Sequence, residues 1–195
     1  MEKELVIATF NRHKLEEIQA ILPALRLRAL AEFPGAEPAQ EDGATLEENA
    51  SKKALAAARF TGLWALADDT GLEVDALGGA PGVRSARFAG ETAGAAENNA
   101  LLLARLAGVP PEKRSARFAC VVALASPDGE VSLARGTLEG RIAAAPSGAN
   151  GFGYDPLFEV GAGPGTLAEL SSAQKNVLSH RARALAGIAP LLTKL

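Results

Sequence analysis

Short apolar runs alternate along the chain with segments of helical periodicity, and this alternation limits the folds available to it. ELVIATF, from Glu4 to Phe10, predicts a first strand, and LEEIQAIL predicts the helix after it. LRLRAL, from Leu25 to Leu30, predicts a second strand, and Leu63 to Ala67 predicts a third. With a later hairpin, these βα units predict a mixed α/β fold with some α+β character.

Capping signals predict where the helices begin and end. Asn11 stands at the N-cap position ahead of the first helix. Thr45 and Glu48 have capping-box spacing, so TLEENASKKALAAARF predicts a second helix that ends at Gly62. NNALLLARLAGVP predicts a third helix, and the last third of the chain also has a helical pattern.

Two segments around SPDG predict a β-hairpin. The segments run from Arg114 to Ala125 and from Glu130 to Leu138. Proline fixes φ and glycine tolerates a left-handed conformation, so SPDG suits a tight turn.

Length and charge narrow the classes of function. A chain of 195 residues predicts one compact domain, 1–195. Twenty Lys and Arg against 23 Asp and Glu give a net charge of -3, so we expect no nucleic-acid partner. Cys120, the one cysteine, excludes an internal disulfide. No segment has the length of a signal peptide or membrane span, so we expect a soluble cytoplasmic protein without a membrane partner.

Carboxylates cluster after the third predicted strand. Asp68 and Asp69 follow it directly, at the edge where open α/β sheets place ligands. Glu41 lies in a loop that could face them, and carboxylates without clustered His or Cys suit Mg²⁺. Glu73 and Asp75 alternate with apolar residues in LEVDAL, which favours a solvated strand face.

The tripeptide Asp69-Thr70-Gly71 also occurs in aspartic proteases, but the rest of the chain argues against proteolysis. Such enzymes need two aspartates that share a proton, and Asp-Thr-Gly occurs once here in a strongly helical chain. We expect Gly71 to form a turn that exposes the two residues before it.

Two further segments suit a nucleotide. Thr9 to Lys14 (TFNRHK) carries a strand into a helix N-terminus, which can receive phosphate or be a simple N-cap; it lacks the Walker sequence. GANGFGYDP displays Phe152 and Tyr154, which could stack on a purine or pin the turn as buried aromatics.

The basic residues near the C-terminus allow two interpretations. On one continuous helix Lys175, His180 and Arg181 would not converge. If Ser179 caps a new helix, His180 and Arg181 lie in its first turn, where an anion is well received. A solvated basic face is the alternative to both.

Together these segments resemble one family. ATFNRHK, QEDGATLEENASKKA, ADDTGLEVDALGGAPGVRSARFAG, GFGYDPLF and SHRARAL are similar, in this order, to motifs of the inosine triphosphate pyrophosphatase family. The resemblance implies an elongated mixed sheet in two helical lobes, a central nucleotide cleft and a homodimer. It also implies Mg²⁺-dependent hydrolysis of ITP, dITP and XTP to the monophosphate and pyrophosphate, which keeps these nucleotides out of DNA and RNA.

The resemblance also implies roles for individual residues. It places the catalytic proton acceptor at Asp69, and Mg²⁺ ligands at Asp69, Glu41 and Asp68, with Asp68 either a ligand or a support for its neighbour. It places the substrate contacts at Thr9, Phe10, Asn11, Arg12, His13, Lys14, Thr70, Phe152, Gly153, Tyr154, Asp155, Lys175, His180 and Arg181.

The chain departs from the family pattern at specific positions. Thr70 replaces a common Ser but keeps the hydroxyl, and Gln40 replaces one of two common acids, which leaves Glu41 as the metal ligand. The role of Arg84 stays open. His180, Arg181 or backbone N–H groups would donate hydrogen bonds to the 6-keto oxygen of inosine and would clash with the amino group of adenosine. A non-catalytic purine nucleotide sensor and a septum-inhibiting pyrophosphatase for pyrimidines are the alternative functions.

Overall fold

The computed structural model describes residues 4–161 and 165–193, and within them strands and helices alternate from the first strand to the third, as the sequence predicts. The strands are β1 (Glu4–Ile7), β2 (Arg26–Ala29), β3 (Ala65–Val74), β4 (Pro81–Gly82), β5 (Ser115–Ala125), β6 (Val131–Ile142) and β7 (Phe158–Val160). The helices are α1 (Arg12–Ile21), α2 (Leu46–Thr61), α3 (Ala95–Arg105), α4 (Ser172–Leu178) and α5 (His180–Leu192). None of the helices in these two ranges is long and apolar enough to cross a membrane.

The strands form a mixed sheet in the order β2-β1-β3-β5-β6-β7, with β4 paired to β3. β1 pairs in parallel with β2 and with the start of β3, as βα units require. β4 and β7 pair antiparallel with β3 and β6. The mixed α/β prediction is therefore confirmed.

The chain divides into two compact units. Among the described residues, the first unit takes in the chain up to Asp69, Cys120–Gly136 and the segment from His180 onward. The second unit takes in Thr70–Ala119 and Thr137–Ser179.

Each unit has its own apolar core. The first core includes Leu5, Ile7, Ile18, Leu66, Val122, Leu185 and Ile188. The second includes Leu72, Val74, Leu102, Leu106, Phe118, Leu157 and Phe158. Because strands alternate sides and helices bury one stripe, each core follows from the apolar periodicity of its elements.

The predicted helix caps are confirmed, except that the Glu48 side chain accepts from the N–H of Ala44 rather than from that of Thr45. The Asn11 side chain accepts hydrogen bonds from the backbone N–H groups of His13 and Lys14, and α1 begins at the next residue. The Thr45 side chain accepts from the N–H of Glu48, and Gly62 ends α2 in the left-handed conformation, with φ at 68°. These boundaries depend on local hydrogen bonds, which is why the sequence predicts them well.

The prediction for the third strand is wrong at its C-terminal end. β3 does not stop at Ala67; it continues through Asp68 and Asp69 to Val74, so both aspartates lie inside the strand and are buried. The strand continues because it has neighbours on both sides: its start pairs with β1, its Leu72 and Glu73 pair with β4, and β5 lies next to it in the sheet.

Gly71 is therefore not the expected turn. Its φ lies outside the left-handed region, and a Cβ atom built on it would stand 2.6 Å from the carbonyl oxygen of Gly82. The position requires glycine because the β4 backbone approaches closely, not because the chain reverses there.

The hairpin and the C-terminal helices settle two other expectations. Gly129, with φ at 96°, donates its N–H to the carbonyl of Ser126 across the SPDG turn, which confirms the hairpin. β6 extends to Ile142, beyond the expected end at Leu138. Ser179 is extended, with ψ at 157°, so α4 and α5 are separate helices and His180 and Arg181 lie in the first turn of α5, as the second interpretation expects.

We expect Gly71→Ala to lower the free energy of unfolding by about 1–3 kcal/mol, because the added methyl group forces β3 and β4 apart. Urea unfolding at neutral pH measures the change. Gly94→Ala is the comparison, since its nearest contact would be 3.7 Å away, at a Glu97 carboxylate oxygen, and should cost less. Equal losses in the two variants would contradict the close-approach explanation.

Candidate active site

A buried group of charged side chains in the first unit surrounds Asp68. Its Oδ2 accepts hydrogen bonds from Nε and Nη2 of Arg181 at 3.2 and 2.8 Å, and Nζ of Lys14 lies 3.1 Å away. Arg181 is 1% exposed and also binds the carboxylate of Glu17 on α1. Two carboxylates and two cations thus compensate one another within a largely dry interior.

The electrostatics of this group keep it charged. Burial raises the pKa of Asp68, but Lys14, Arg181 and Lys53 more than reverse this effect and hold it below its ordinary value. Burial lowers the pKa of Arg181, and Asp68 and Glu17 raise it again, to well above its ordinary value. Both partners are therefore ionised at neutral pH.

A second group surrounds Asp69. Nζ of Lys53 lies 2.8 Å from Oδ1 of Asp69 and 2.7 Å from Oε1 of Glu41. Nδ2 of Asn49 donates to Oδ2 of Asp69 at 3.3 Å. Each oxygen of the Asp69 carboxylate therefore has a donor.

Burial makes Asp69 a stronger base than an ordinary aspartate. It raises the pKa of the carboxyl group, and the opposing effect of Lys53 only partly cancels the increase. Burial lowers the pKa of Lys53, but Asp69, Asp68 and Glu41 raise it above its usual value, so the ammonium stays charged.

The alternation of the strand separates the two aspartates. Adjacent residues of a strand point to opposite faces, so Asp68 meets α1 and α5 while Asp69 meets α2. On α2, Asn49 and Lys53 are four residues apart and share one face of the helix. A single turn of α2 therefore supplies both donors to Asp69.

Sequence reasoning did not single out Asn49, Lys53 or Glu17 as functional residues. The signal in the sequence was the spacing of Asn49 and Lys53 on one face of a predicted helix. That signal alone does not distinguish a site from a solvated helix face, because only the tertiary structure brings Asp69 against it.

The predicted phosphate segment, Thr9 to Lys14, lies at the start of α1 as expected. Thr9 Oγ1 accepts the N–H of Asn11 at 3.1 Å, which shapes the approach to the helix. Phe10 is exposed, and Arg12 pairs with Glu16 one turn on. The same segment therefore combines an N-cap with the Lys14 ammonium held by Asp68.

In the second unit the structure brings together three predicted residues. Nζ of Lys175 lies 2.6 Å from Oδ2 of Asp155 and 4.7 Å from the centroid of the Phe152 ring. The same Asp155 oxygen accepts the N–H of Phe152 at 2.9 Å. The Lys175 ammonium group therefore covers one side of the half-buried Phe152 ring. Asp155, its ion-pair partner, also holds the backbone of Phe152.

The other aromatic of this loop has a different position. The Tyr154 ring is buried, and its hydroxyl group donates to the carbonyl of Ser85 at 2.9 Å. Burial raises the pKa of this phenol. Of the two interpretations of the loop, a buried aromatic that pins the turn describes Tyr154, and a stacking surface remains for Phe152. Asn99 on α3 donates to the carbonyl of Gly153 at 3.1 Å.

His180 and Arg181 begin α5, and both are buried. Arg181 donates hydrogen bonds to Asp68 and Glu17. Its contact with a purine stays a prediction. Thr70 is half-buried and follows Asp69 on β3.

Of the three carboxylates predicted to bind Mg²⁺, Asp69 and Glu41 lie close together, and Asp68 contacts Lys14 instead. No group of three or more His, Cys, Asp or Glu side chains that could hold a metal occurs in residues 4–161 and 165–193. Asp69 and Glu41 nevertheless converge on one cation, the Lys53 ammonium group. Two carboxylates fit Mg²⁺, which binds one or two of them and completes its shell with water and phosphate. Glu73 and Asp75 instead pair with Arg117.

The sequence is similar to a known protein family and to proteins of named activity. The model of the Ham1 family matches residues 5–191. The chain is 51% identical to the dITP/XTP pyrophosphatase of Desulforamulus reducens over 98% of this chain and 96% of that protein. It is 54% identical to the dITP/XTP pyrophosphatase of Geobacter sulfurreducens over 93% and 92%.

Solved structures are also similar. A Ham1 protein from Coxiella burnetii matches with a TM-score of 0.88 and 43% identity over 99% of this chain and 100% of that chain. A nucleoside-triphosphatase, or dITP/XTP pyrophosphatase, from Mycobacterium abscessus matches with a TM-score of 0.77 and 44% identity, over 96% and 99%.

We expect Asp68→Ala to lower the free energy of unfolding at pH 7 by about 3–5 kcal/mol, because Arg181 stays buried with one carboxylate partner removed. The pKa of Asp68 is lowered in the fold, so its contribution is present above the unfolded value of about 3.9 and is lost as the pH falls below it. The difference between wild type and variant should therefore shrink in acid.

Urea unfolding at neutral and acidic pH checks this prediction. Asp42→Ala, which removes an exposed partner of Lys52, is the control and should change stability little. A loss in Asp68→Ala no larger than in Asp42→Ala would show that the buried group is not needed for the fold.

Proposed function

The chain belongs to the Ham1 family, and on that premise we propose that it hydrolyses nonstandard purine nucleoside triphosphates. The substrates are ITP, dITP and XTP, and the products are the nucleoside monophosphate and pyrophosphate. Removing these nucleotides from the pool prevents their incorporation into DNA and RNA. Within the chain, the observation that carries the proposal is the buried Asp69 carboxylate, oriented by Lys53 and Asn49.

Asp69 has the properties of a general base. Attack of water on the α-phosphorus requires a group that accepts a proton, and burial raises the pKa of Asp69 toward the range in which a carboxylate is an effective base. The charged Lys53 keeps the carboxylate ionised and adds positive charge beside it.

Lys14 and the N-terminus of α1 would receive the phosphates. The helix N-terminus offers backbone N–H groups and a partial positive charge, and Lys14 adds a full charge in the first turn. Asp68 holds the Lys14 ammonium at 3.1 Å, so its position is defined before substrate binds.

Mg²⁺ would be held by Asp69 and Glu41. When bound, Mg²⁺ would neutralise charge on the phosphate oxygens and lower the pKa of a bound water molecule. Of the two roles open for Asp68, we assign it the supporting one, because its Oδ2 accepts from Arg181 and Lys14. Lys53 spans the two ligands and would limit their mutual repulsion.

Phe152 would stack on the purine base. Lys175 covers one side of the ring, so a base would use the other side. The remaining predicted contacts, His180 and Arg181 among them, stay proposals for recognition of the 6-keto oxygen. The homodimer and the cytoplasmic location are likewise proposals. A non-catalytic nucleotide sensor is not favoured, because the relatives are named pyrophosphatases.

We expect the protein to release pyrophosphate from ITP, dITP and XTP much faster than from ATP, and to need Mg²⁺ for this release. A coupled pyrophosphate assay across a nucleotide panel, with and without Mg²⁺, measures both. Orthophosphate as the first product would contradict cleavage between the α and β phosphates.

Asp69→Asn provides the control for this assay. The amide cannot accept the proton of water, so turnover should fall by roughly 100-fold or more while nucleotide binding persists. Turnover near the wild-type rate would exclude Asp69 as the base.

We expect Phe152→Ala to raise KM for purine nucleotides by roughly 5- to 100-fold, because stacking on an aromatic ring contributes about 1–3 kcal/mol per base. Steady-state kinetics with ITP measure the change. Phe60→Ala is the control, since Phe60 is an exposed aromatic on α2. An unchanged KM in Phe152→Ala would remove the ring from the base site.

A further inference from the structure

We propose that Asn49 is a positioning residue that sets the geometry between Asp69 and the loop carrying Glu41. The inference rests on the proposed function and names a residue that works through the two carboxylates. It is carried by the contacts of one buried amide and by the shape of the loop against it.

The amide of Asn49 connects two segments that are distant in sequence. The residue is 1% exposed, its Oδ1 accepts the N–H of Gly43 at 2.8 Å, and its Nδ2 donates to Oδ2 of Asp69. A backbone N–H can only donate, so the amide oxygen must face Gly43. The amide nitrogen must then face the carboxylate, and the orientation of the side chain is determined.

The loop is fitted to this amide. A Cβ atom on Gly43 would stand 2.6 Å from Oδ1 of Asn49 and 2.9 Å from Cβ of Glu48. The φ of Gly43 lies outside the left-handed region, so space rather than backbone conformation requires glycine there. Glu48 accepts the next backbone N–H, of Ala44, at 2.7 Å. The first turns of α2 thus hold the loop two residues after Glu41.

The same helix face holds Asp69. Asn49 binds one carboxylate oxygen and Lys53 binds the other, so rotation of the carboxylate about its own axis would break one hydrogen bond or both. Lys53 also reaches Glu41. One turn of α2 therefore fixes the positions of the Asp69 and Glu41 carboxylates. Displacement of a reacting group by about 1 Å can lower the rate about 100-fold.

A structural role for Asn49 and a positioning role make different predictions. Asn49→Asp has nearly the same shape and still accepts the N–H of Gly43, but it cannot donate to Asp69 and repels it. If Asn49 only holds the loop, Asn49→Asp should retain activity. If it positions Asp69, kcat should fall although the loop keeps its acceptor.

The experiment measures kcat and KM for ITP in Asn49→Asp, Asn49→Ala and Gly43→Ala, with thermal unfolding of each and calorimetric binding of inosine monophosphate. We expect kcat to fall roughly 10- to 100-fold in each variant, with KM and monophosphate affinity within about threefold of wild type. Asp42→Asn is the matched control, because Asp42 tethers the same loop through the exposed Lys52. Its kcat should stay within about twofold of wild type.

The outcomes separate this inference from the proposed function. If the wild type releases no pyrophosphate from ITP, the proposed function fails. If the wild type is active and Asp69→Asn is not, a wild-type kcat in Asn49→Asp overturns the positioning role. Should Asn49→Asp fail to fold, Gly43→Ala decides, since it displaces the loop from the amide without altering Asn49, and an unchanged kcat there also overturns it. An equal fall of kcat in Asp42→Asn would show that loss of any contact holding the loop has this effect, and would overturn the specific role of Asn49.

Discussion

The buried ion pair between Asp68 and Arg181 is the interaction on which the first unit and its site depend. It joins β3 to α5 across 113 positions of sequence, and Lys14 and Glu17 bring α1 into the same group. A buried charge without a partner costs several kcal/mol, so these three elements can pack only in an arrangement that satisfies all four groups. That arrangement also presents the N-terminus of α1 with its lysine in place.

The pleat of β3 points two adjacent carboxylates, Asp68 and Asp69, to opposite faces of the strand and gives them different roles. Asp68 faces the cations that keep its pKa low, which suits a permanent charge that holds other groups. Asp69 faces α2, where burial outweighs Lys53 and raises its pKa, which suits a group that accepts a proton. Two identical side chains thus acquire different chemistry from the two environments on either side of one strand.

Local signals predicted much of the fold. The caps at Asn11, Thr45 and Gly62 are where the sequence places them, because each depends on hydrogen bonds or on a backbone conformation within a few residues. The predicted end of β3 was wrong because it does not depend on residues close in sequence. Its extension past Asp69 depends on pairing with β4, and a glycine in a strand resembles a turn signal until the neighbouring backbone is known.

By itself, the sequence determined the mixed α/β class, the start of α1, both ends of α2 and, through its resemblance to a family, the residues expected around a nucleotide. Only the tertiary structure decided which carboxylate meets which cation, that Tyr154 is an anchor while Phe152 stays half-buried, and that Asn49 and Lys53 hold Asp69. The physical reason for this difference is the distance along the sequence over which each interaction acts. Caps and periodicity act within a few residues, whereas desolvation and ion pairing depend on side chains that the chain brings together from distant positions.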